Sequence, residues 1–368
     1  TQFVGNYVQS PPLGTEVDTG GADWGGLEVR YRTSEFLNQR LTLGAEFQHQ
    51  FRIYQTVTTD EGLGLNDRQT FSVASAYAVD ELRLGRMFLV NGSVRADYYL
   101  DGPTGTPSFG LTVNPRLAVI SRFYEKGLTK LMGGRSFRAP TAYERFYHDG
   151  VVGSDGSITY QTARPNPALG PETILTAELE HGHQLNDELR VVGALFVNQI
   201  QSLIASRTDD DGLELKDNAA GRVRTQGAEL EMRWQPRRLT LVTAAYWYQQ
   251  MSVAGVDPDF EALLRSNAPA HAFSLRGMHP LLAPTLVGSL ELIYNSARLL
   301  RDGSDATGEF FMVNAGLSGE VGNGRFRYYA GVQNLLDQRP LLPASSVIRP
   351  LALPGYGRTF LLQLTAAY

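Results

Sequence analysis

What most limits how this chain can fold is an alternation of apolar and polar side chains that runs for roughly ten or more residues at a time. Leu41, Leu43, Ala45, Phe47, Phe51 and Ile53 share one parity, while Thr42, Glu46, Gln48, Gln50 and Arg52 take the other. The split recurs in Phe88, Val90, Val94, Ala96, Tyr98 and Leu100 against Asn91, Ser93, Arg95 and Asp97. It recurs in Ala228, Leu230, Met232 and Trp234 against Glu229, Glu231, Arg233 and Gln235. Near the end, Phe326, Tyr328, Ala330 and Val332 oppose Arg325, Arg327 and Gln333. Successive side chains point to opposite faces only in extended backbone, so this period predicts strands with one greasy and one polar face.

A soluble sandwich alternates too, because its outer face meets water. Three properties favour an all-β, transmembrane antiparallel barrel instead. The strands are long, about ten or more residues against the usual five or six or so of globular sheets. Aromatic residues (Trp24, Tyr54, Tyr98, Trp234, Trp247, Tyr294, Tyr328) fall near strand ends, where a lipid–water girdle would hold them. Short and long links also alternate along the chain. Tight turns are expected at Asn38, Asp80-Glu81, Glu125-Lys126, Asn186-Asp187, Gln235-Pro236, His279-Pro280 and Gly322-Asn323-Gly324. Long polar links are expected at 9–22, 58–67, 101–108, 136–172, 207–221, 251–270, 298–308 and 334–357. The walk yields about sixteen strands, with the C-terminus on the short-turn side. Phe360, Leu362, Leu364, Ala366 and Tyr368 form a last alternating face with an aromatic end, as outer-membrane barrels have.

Composition removes other classes. Cysteine is absent, so disulfides and thiolate metal sites are impossible. The net charge is -5 and the basic residues are scattered, which argues against a nucleic-acid partner. A mean hydropathy of -0.21 is too polar for a helical membrane protein. The best apolar run, Leu239 to Trp247, is interrupted by Thr243 and falls far short of the ~18 residues of a spanning helix. Thr1 to Ser10 has neither the basic start nor the apolar centre of a signal peptide, so the expectation is an intracellular protein or a mature or truncated chain.

Four stretches carry a resemblance to the TonB-dependent outer-membrane receptors, over about Asn114 to Tyr368. Gly134-Arg135-Ser136-Phe137-Arg138-Ala139-Pro140-Thr141 resembles the family's strand-to-loop signature. Asn166-Pro167-Ala168-Leu169-Gly170-Pro171-Glu172-Thr173, followed by Glu178-Leu179-Glu180, resembles its N-P-x-L-x-P-E re-entry and the strand behind it. Asn218 to Gly221 with Gln226-Gly227-Ala228-Glu229-Leu230-Glu231 resembles its G-x-E-x-E strand. Gly331-Val332-Gln333-Asn334-Leu335-Leu336-Asp337 with Pro354-Gly355-Tyr356-Gly357-Arg358-Thr359-Phe360 resembles its C-terminal N-L-F-D and P-G-R ending. The resemblance implies a barrel of about 22 strands around a plug domain. It also implies uptake of a scarce nutrient (a ferric siderophore, cobalamin or a glycan) across a Gram-negative outer membrane, energised through TonB. No plug and no TonB box are visible here. The expectation is therefore a single barrel domain over residues 1–368, whose plug and first strands are missing or lie on another chain.

The partners so implied are outer-membrane lipid, a small-molecule or metal-chelate ligand, the plug and TonB, with no cofactor and no enzymatic activity. For ligand, the outer loop offers Arg138, Tyr143, Arg145, Tyr147, His148 and Tyr160, cations and aromatics suited to anionic or planar molecules. Glu229, Glu231, Arg233, Arg325 and Arg327 are expected on the inner wall, facing a plug. Asp209-Asp210-Asp211 with Glu214 has the hard oxygens for Ca²⁺ but reads first as a solvated loop tip. His181 and His183 share a strand face and read as interfacial residues rather than a chelate. His148-Asp149 is adjacent in sequence, which does not make a catalytic pair. The alternative function is a plugless porin-like channel or a structural subunit of an envelope complex. In planar bilayers, a stable open pore from the native protein would favour that alternative, and a closed one the receptor.

Overall fold

The computed structural model describes residues 2–8, 15–34, 36–59, 62–100, 109–152, 157–160, 162–256, 258–282, 285–344 and 350–366. The first seven strands are β1 (Gln2–Val8), β2 (Thr15–Arg32), β3 (Gln39–Thr59), β4 (Gly62–Leu84), β5 (Phe88–Leu100), β6 (Gly110–Tyr124) and β7 (Gly127–Arg138). A loop with helix α1 (Ala142–Phe146) and the hairpin β8 (Val151–Val152) and β9 (Ile158–Thr159) follows. Next come β10 (Glu172–Gln184), β11 (Leu189–Gln201), the loop hairpin β12 (Ile204–Thr208) and β13 (Glu214–Asn218), β14 (Arg222–Arg237) and β15 (Thr240–Ala254). Helix α2 (Pro258–Arg265) precedes β16 (His271–Leu282), β17 (Leu286–Asn295), β18 (Phe310–Val321) and β19 (Phe326–Gln333). A last loop hairpin, β20 (Leu341–Pro343) and β21 (Ala352–Pro354), leads to β22 (Thr359–Ala366). Sixteen of these strands form one antiparallel sheet in chain order, β1 to β7, β10, β11, β14 to β19 and β22, and the other six make three separate hairpins.

The chain divides into two compact units. One contains Thr1–Val119, Met132–Thr176 and Gln199–Arg222, the other Ile120–Leu131, Ala177–Asn198 and Val223–Tyr368. In the first, strand register turns the sequence parities into two continuous surfaces. Leu27, Phe47, Ala74 and Tyr98 stand in one cross-strand row, and Val29, Ala45, Ala76 and Ala96 in the next. This face is open, with Leu27 69% and Val29 64% exposed. A long, apolar and exposed strand face is a liability in water and a requirement in lipid.

The opposite face of the same strands is charged. Glu28, Glu46, Ser75 and Asp97 form one row, and Arg30, Gly44, Tyr77 and Arg95 the row beside it. Arg95 donates to Asp97 at 2.7 Å and to Glu46 at 2.9 Å, while Ser75 donates to Asp97 at 2.7 Å. Tyr77 reaches Glu28 with its hydroxyl at 2.6 Å. Its ring lies over Gly44, where a Cβ would come within 2.1 Å of Tyr77 Cζ. Glycine is required there by the ring, not by backbone conformation.

The second unit repeats the scheme. Tyr246, Phe273, Tyr294 and Phe311 form an aromatic row, near the long-loop ends of β16, β17 and β18 and mid-strand in β15, with Ala244, Leu275, Leu292 and Val313 beside it. Val242, Gly277, Leu290, Ala315, Val332 and Phe360 make a further row, which in β15 to β18 lies on the short-turn side of the aromatic one. From Phe273 to Leu281 this face of β16 spans nine residues, close to the ~9–11 that a transmembrane strand needs. The other face carries Thr243, Arg276, Glu291 and Asn314 in register, with Arg276 paired to Glu291.

Several expected boundaries move. The polar stretches 15–22, 58–59 and 62–67 are strand rather than loop, because β2, β3 and β4 run for 18, 21 and 23 residues. At about 3.4 Å per residue they are roughly twice what a ~25 Å apolar band requires. These ends stay paired in the ladder, and Val57 and Leu65 within them are buried, at 8% and 1% exposure. Asp80-Glu81 lies inside β4, and the turn comes at Gly85, whose φ of 65° suits glycine. Pro236 lies within β14, and Pro280 sits in β16 where the register shifts before Leu282, a bulge that needs no ladder donor. The expected strand 188–206 breaks after Gln201, where Ser202 takes a φ of 55°. Trp247 pairs with Ala272 and so leaves the aromatic face of Tyr246. Link 101–108 and Tyr368 lie outside the described residues.

Gly44→Ala is expected to displace Tyr77 and cost about 1–3 kcal/mol, the usual range for overpacking. Denaturant unfolding in detergent reads this, and Tyr77→Ala in the Gly44→Ala background should recover part of the loss.

Candidate functional site

The site is built where β7 ends. β7 ends at Arg138, two residues before Pro140, which has no amide hydrogen to offer a ladder. Thr141 then caps α1: Glu144 N donates to Thr141 Oγ1 at 3.2 Å, and Glu144 Oε2 accepts from Thr141 N at 2.8 Å, a reciprocal capping box. Arg138 ties this helix to the start of β10, donating through Nε to Glu172 at 2.6 Å and through its NH1 nitrogen to Glu144 at 2.9 Å. The pairing with Glu172 and then Glu144 holds Arg138 still more firmly protonated. Partial burial opposes ionisation of Glu144, but Arg138 and the Thr141 amide outweigh it and hold the carboxyl below its ordinary value. Arg138 is therefore a fastener of the loop.

A second clamp joins this loop to the β12–β13 loop. Asn218 receives the Gly170 amide on Oδ1 at 2.7 Å and returns Nδ2 to the Gly170 carbonyl at 3.0 Å. Asn166 Nδ2 donates to the Lys216 carbonyl at 2.8 Å, and Glu172 Oε1 accepts from Ile204 N at 2.7 Å. Leu169 is fully buried at this junction, 1% exposed. Asp209 accepts from the amides of Leu213 and Asp211 at 2.9 Å each and pairs with Arg164. The Leu213 amide leads in holding its carboxyl below the ordinary range. Asp209 thus organises its own turn, and Glu214 is engaged by Ser206 and Lys216.

So fastened, α1 covers a cavity of about 310 Å³ in the first unit. Its wall side carries the amides of Gln48, Gln50 and Gln69 and the rings of Phe71, Tyr99 and Phe109. Tyr99 is the hub, 6.2 Å from Phe71, 4.1 Å from Phe109 and 6.1 Å from Phe137 between ring centroids. The loop side contributes Thr141, Phe146 and Arg145, whose guanidinium lies 5.0 Å from the Phe146 ring centroid and donates to the Pro167 carbonyl. Planar rings, amides and a cation in one concavity suit a flat, electron-rich or anionic ligand.

The other expected loop residues lie around this cavity. Tyr143 and Tyr147 stack at 4.7 Å, and Tyr143 lines a neighbouring hollow with Asp18, Tyr54 and Asp67. His148 sits 5.5 Å from Tyr160 and accepts from the Gly150 amide at 3.1 Å. Burial lowers its pKa, against the pull of Asp67 and Asp149. Asp149 accepts from the amides of Thr162 and Ala163. Glu229, Glu231 and Arg233 lie on the β14 parity opposite Leu230 and Trp234, and Arg233 reaches Gln235 at 3.1 Å. Arg327 stands opposite Glu320 and Thr365, whereas Arg325 falls in the 322–325 turn and off the wall strands. Tyr124 bridges His181 and His183 at 2.9 and 2.8 Å, near the Glu125-Lys126 turn.

A family model described as TonB dependent receptor-like, beta-barrel matches residues 2–335. A search of curated proteins finds no match. Among solved structures, the ferric-catecholate import receptor Fiu of K12 E. coli superposes with a TM-score of 0.68 at 18% identity, covering 95% of this chain and 55% of that one. The ferric enterobactin receptor PfeA of Pseudomonas aeruginosa gives 0.70 at 17% identity, with 96% and 54% covered. FpvAI, in complex with pyocin S2, gives 0.72 at 10% identity, with 99% and 52% covered. At these identities the likeness is one of fold, and this chain spans just over half the length of each.

The Arg138–Glu144 pair makes α1 sensitive to acid. Glu144 stabilises the folded loop above its unfolded-state pKa, near 4.5, and that contribution is lost as pH falls through the lower folded value. Hydrogen exchange at 142–147, corrected for intrinsic rate, should therefore accelerate below about pH 4.5, and Arg138→Ala should remove most of this dependence.

Proposed function

The chain belongs to the TonB-dependent receptor-like β-barrel family, and from that premise we propose that it is the barrel of a Gram-negative outer-membrane receptor that takes up a ferric siderophore of the catecholate class. In this proposal residues 1–368 act as one barrel domain with a plug, carried on the same or a separate chain, and TonB relays the energy for transport. The long loops face outside and the short turns the periplasm, the usual arrangement of such barrels.

The observation that carries the ligand class is the cavity beneath α1. A catecholate complex presents flat aromatic rings and anionic oxygens around iron. Tyr99, Phe71 and Phe146 offer faces and edges to such rings, and Arg145 and the three glutamines offer donors to the oxygens. Fiu and PfeA, which share this fold, are themselves receptors for ferric-catecholate and ferric enterobactin. The ligand itself is the iron carrier, so the barrel needs no resident metal and no covalent chemistry.

The test is equilibrium binding of a ferric tris-catecholate complex to the detergent-solubilised protein. Arg145→Gln should weaken it about tenfold, the scale of a lost charge-assisted hydrogen bond. Gln50→Leu, from the wall side, should weaken it less while leaving the loop intact. Equal binding by wild type and both variants would remove the cavity from the proposal. Uptake of radiolabelled iron that continues without TonB would remove the energised step.

A further inference from the structure

On the apolar face of the second unit, the short-turn ends of β14 to β17 leave a groove of about 760 Å³. It exists because two glycines stand where that face otherwise carries larger side chains. Gly277 pairs with Val242 and Leu290, and Gly288 with His279 and Leu317. A Cβ on Gly277 would meet nothing within 4 Å, so the notch is open, whereas one on Gly288 would touch Leu281 at 3.3 Å. Trp234, Leu281 and Leu290 stand around the notch as largely exposed walls. Toward the turn the lining becomes polar: Arg237, the last residue of β14 and on the parity of Arg233 rather than Trp234, is exposed at the groove's end, and His279 Nδ1 shares a hydrogen bond with Thr240 Oγ1 at 2.9 Å. No Asp or Glu is among the described lining residues.

We propose that this groove is a binding site for an anionic phospholipid, phosphatidylglycerol, of the periplasmic leaflet, with an acyl chain in the glycine notch and the headgroup phosphate on Arg237. The proposal rests on the membrane-barrel assignment. The groove is continuous with the lipid-facing rows, so hydrocarbon is what surrounds it in a bilayer. Its volume lies within the ~300–1,000 Å³ of small-molecule sites. The cation at one end, unopposed by a carboxylate in the lining, matches an acidic headgroup, and its position at the short turns matches the headgroup level. Arg237 supplies charge, His279 and Thr240 supply hydrogen-bonding atoms, and Gly277 supplies space.

The full chain is reconstituted into nanodiscs of equal phosphatidylglycerol and phosphatidylcholine, and lipids retained after mild detergent extraction are counted by native mass spectrometry. Wild type should retain phosphatidylglycerol preferentially. Gly277→Leu, whose Cβ meets nothing within 4 Å and whose side chain occupies the notch, should abolish retention. Arg237→Gln, at an exposed turn, should lower the preference about fivefold, the contribution of one basic side chain beside an anionic leaflet. Retention unchanged in both variants would overturn the site. So would equal retention of the two lipids by wild type, or a lipid-free dimer closing over the groove. If Gly277→Leu fails to fold, Arg237→Gln still decides. Failure of wild type to enter the bilayer would instead overturn the membrane assignment.

Discussion

Backbone amides and carbonyls inside a bilayer have no water to turn to, so each must find its partner on a neighbouring strand. That requirement explains why the sixteen strands of the main sheet pair with their neighbours throughout and why their side chains are left free to differ on the two faces. With the ladder satisfied by backbone alone, one face can be wholly apolar, as in the row Leu27, Phe47, Ala74 and Tyr98. The other face must then hold its charges by mutual pairing. Arg95 between Glu46 and Asp97, and Arg276 against Glu291, are the local solutions. Bare glycines enter the same scheme, since Gly44 makes room for the Tyr77 ring to cross to Glu28.

The motifs that carry the family resemblance are joints in the fold. Arg138 fastens α1 to Glu172, Asn218 fastens the Gly170 turn, and Asn334 donates to Asn314, Gln338 and Tyr356 and accepts from the Gln338 amide. Asp337, three residues on, receives the Arg358 amide at 2.7 Å. Each joint lies where a strand leaves or re-enters the sheet, where backbone groups lose their ladder partners and side chains must replace them. Motifs of this kind hold position; Ala139, Pro140 and Thr141 of the first also line the cavity, whose other lining residues, Arg145 and Phe146 from the loop and Gln48, Gln50, Phe71 and Tyr99 from the wall, lie outside the motifs.

Sequence and structure part company where local chemistry is ambiguous. Pro236 and Pro280 read as turns because proline lacks a ladder donor, yet one sits near the end of β14 and the other at a bulge. Asp80-Glu81 reads as a turn because both are charged, yet on the wall strands charge is ordinary. The stretches 15–22 and 62–67 read as loops because polar residues occupy both parities. A strand that continues beyond lipid needs no apolar face, so alternation fades while pairing persists. The helices α1 and α2 were hidden by their brevity, five and eight residues inside long links.

The sequence by itself determined the approximate number of strands in the main sheet, the parity of its clearest apolar faces, the alternation of short and long connections and the family, because each follows from period two and from motifs that are local in the chain. Which side chains share a cavity was decided only by tertiary structure. Gln48, Tyr99 and Arg145 are far apart in sequence, and nothing local marks one wall glutamine from the next. They meet because Arg138 and Asn218 fix the loop above that part of the sheet, and register brings Gln48 and Tyr99 to the same row through Val73. Pairing across strands is a long-range choice, made by the whole set of faces at once, and no single stretch of the chain contains it.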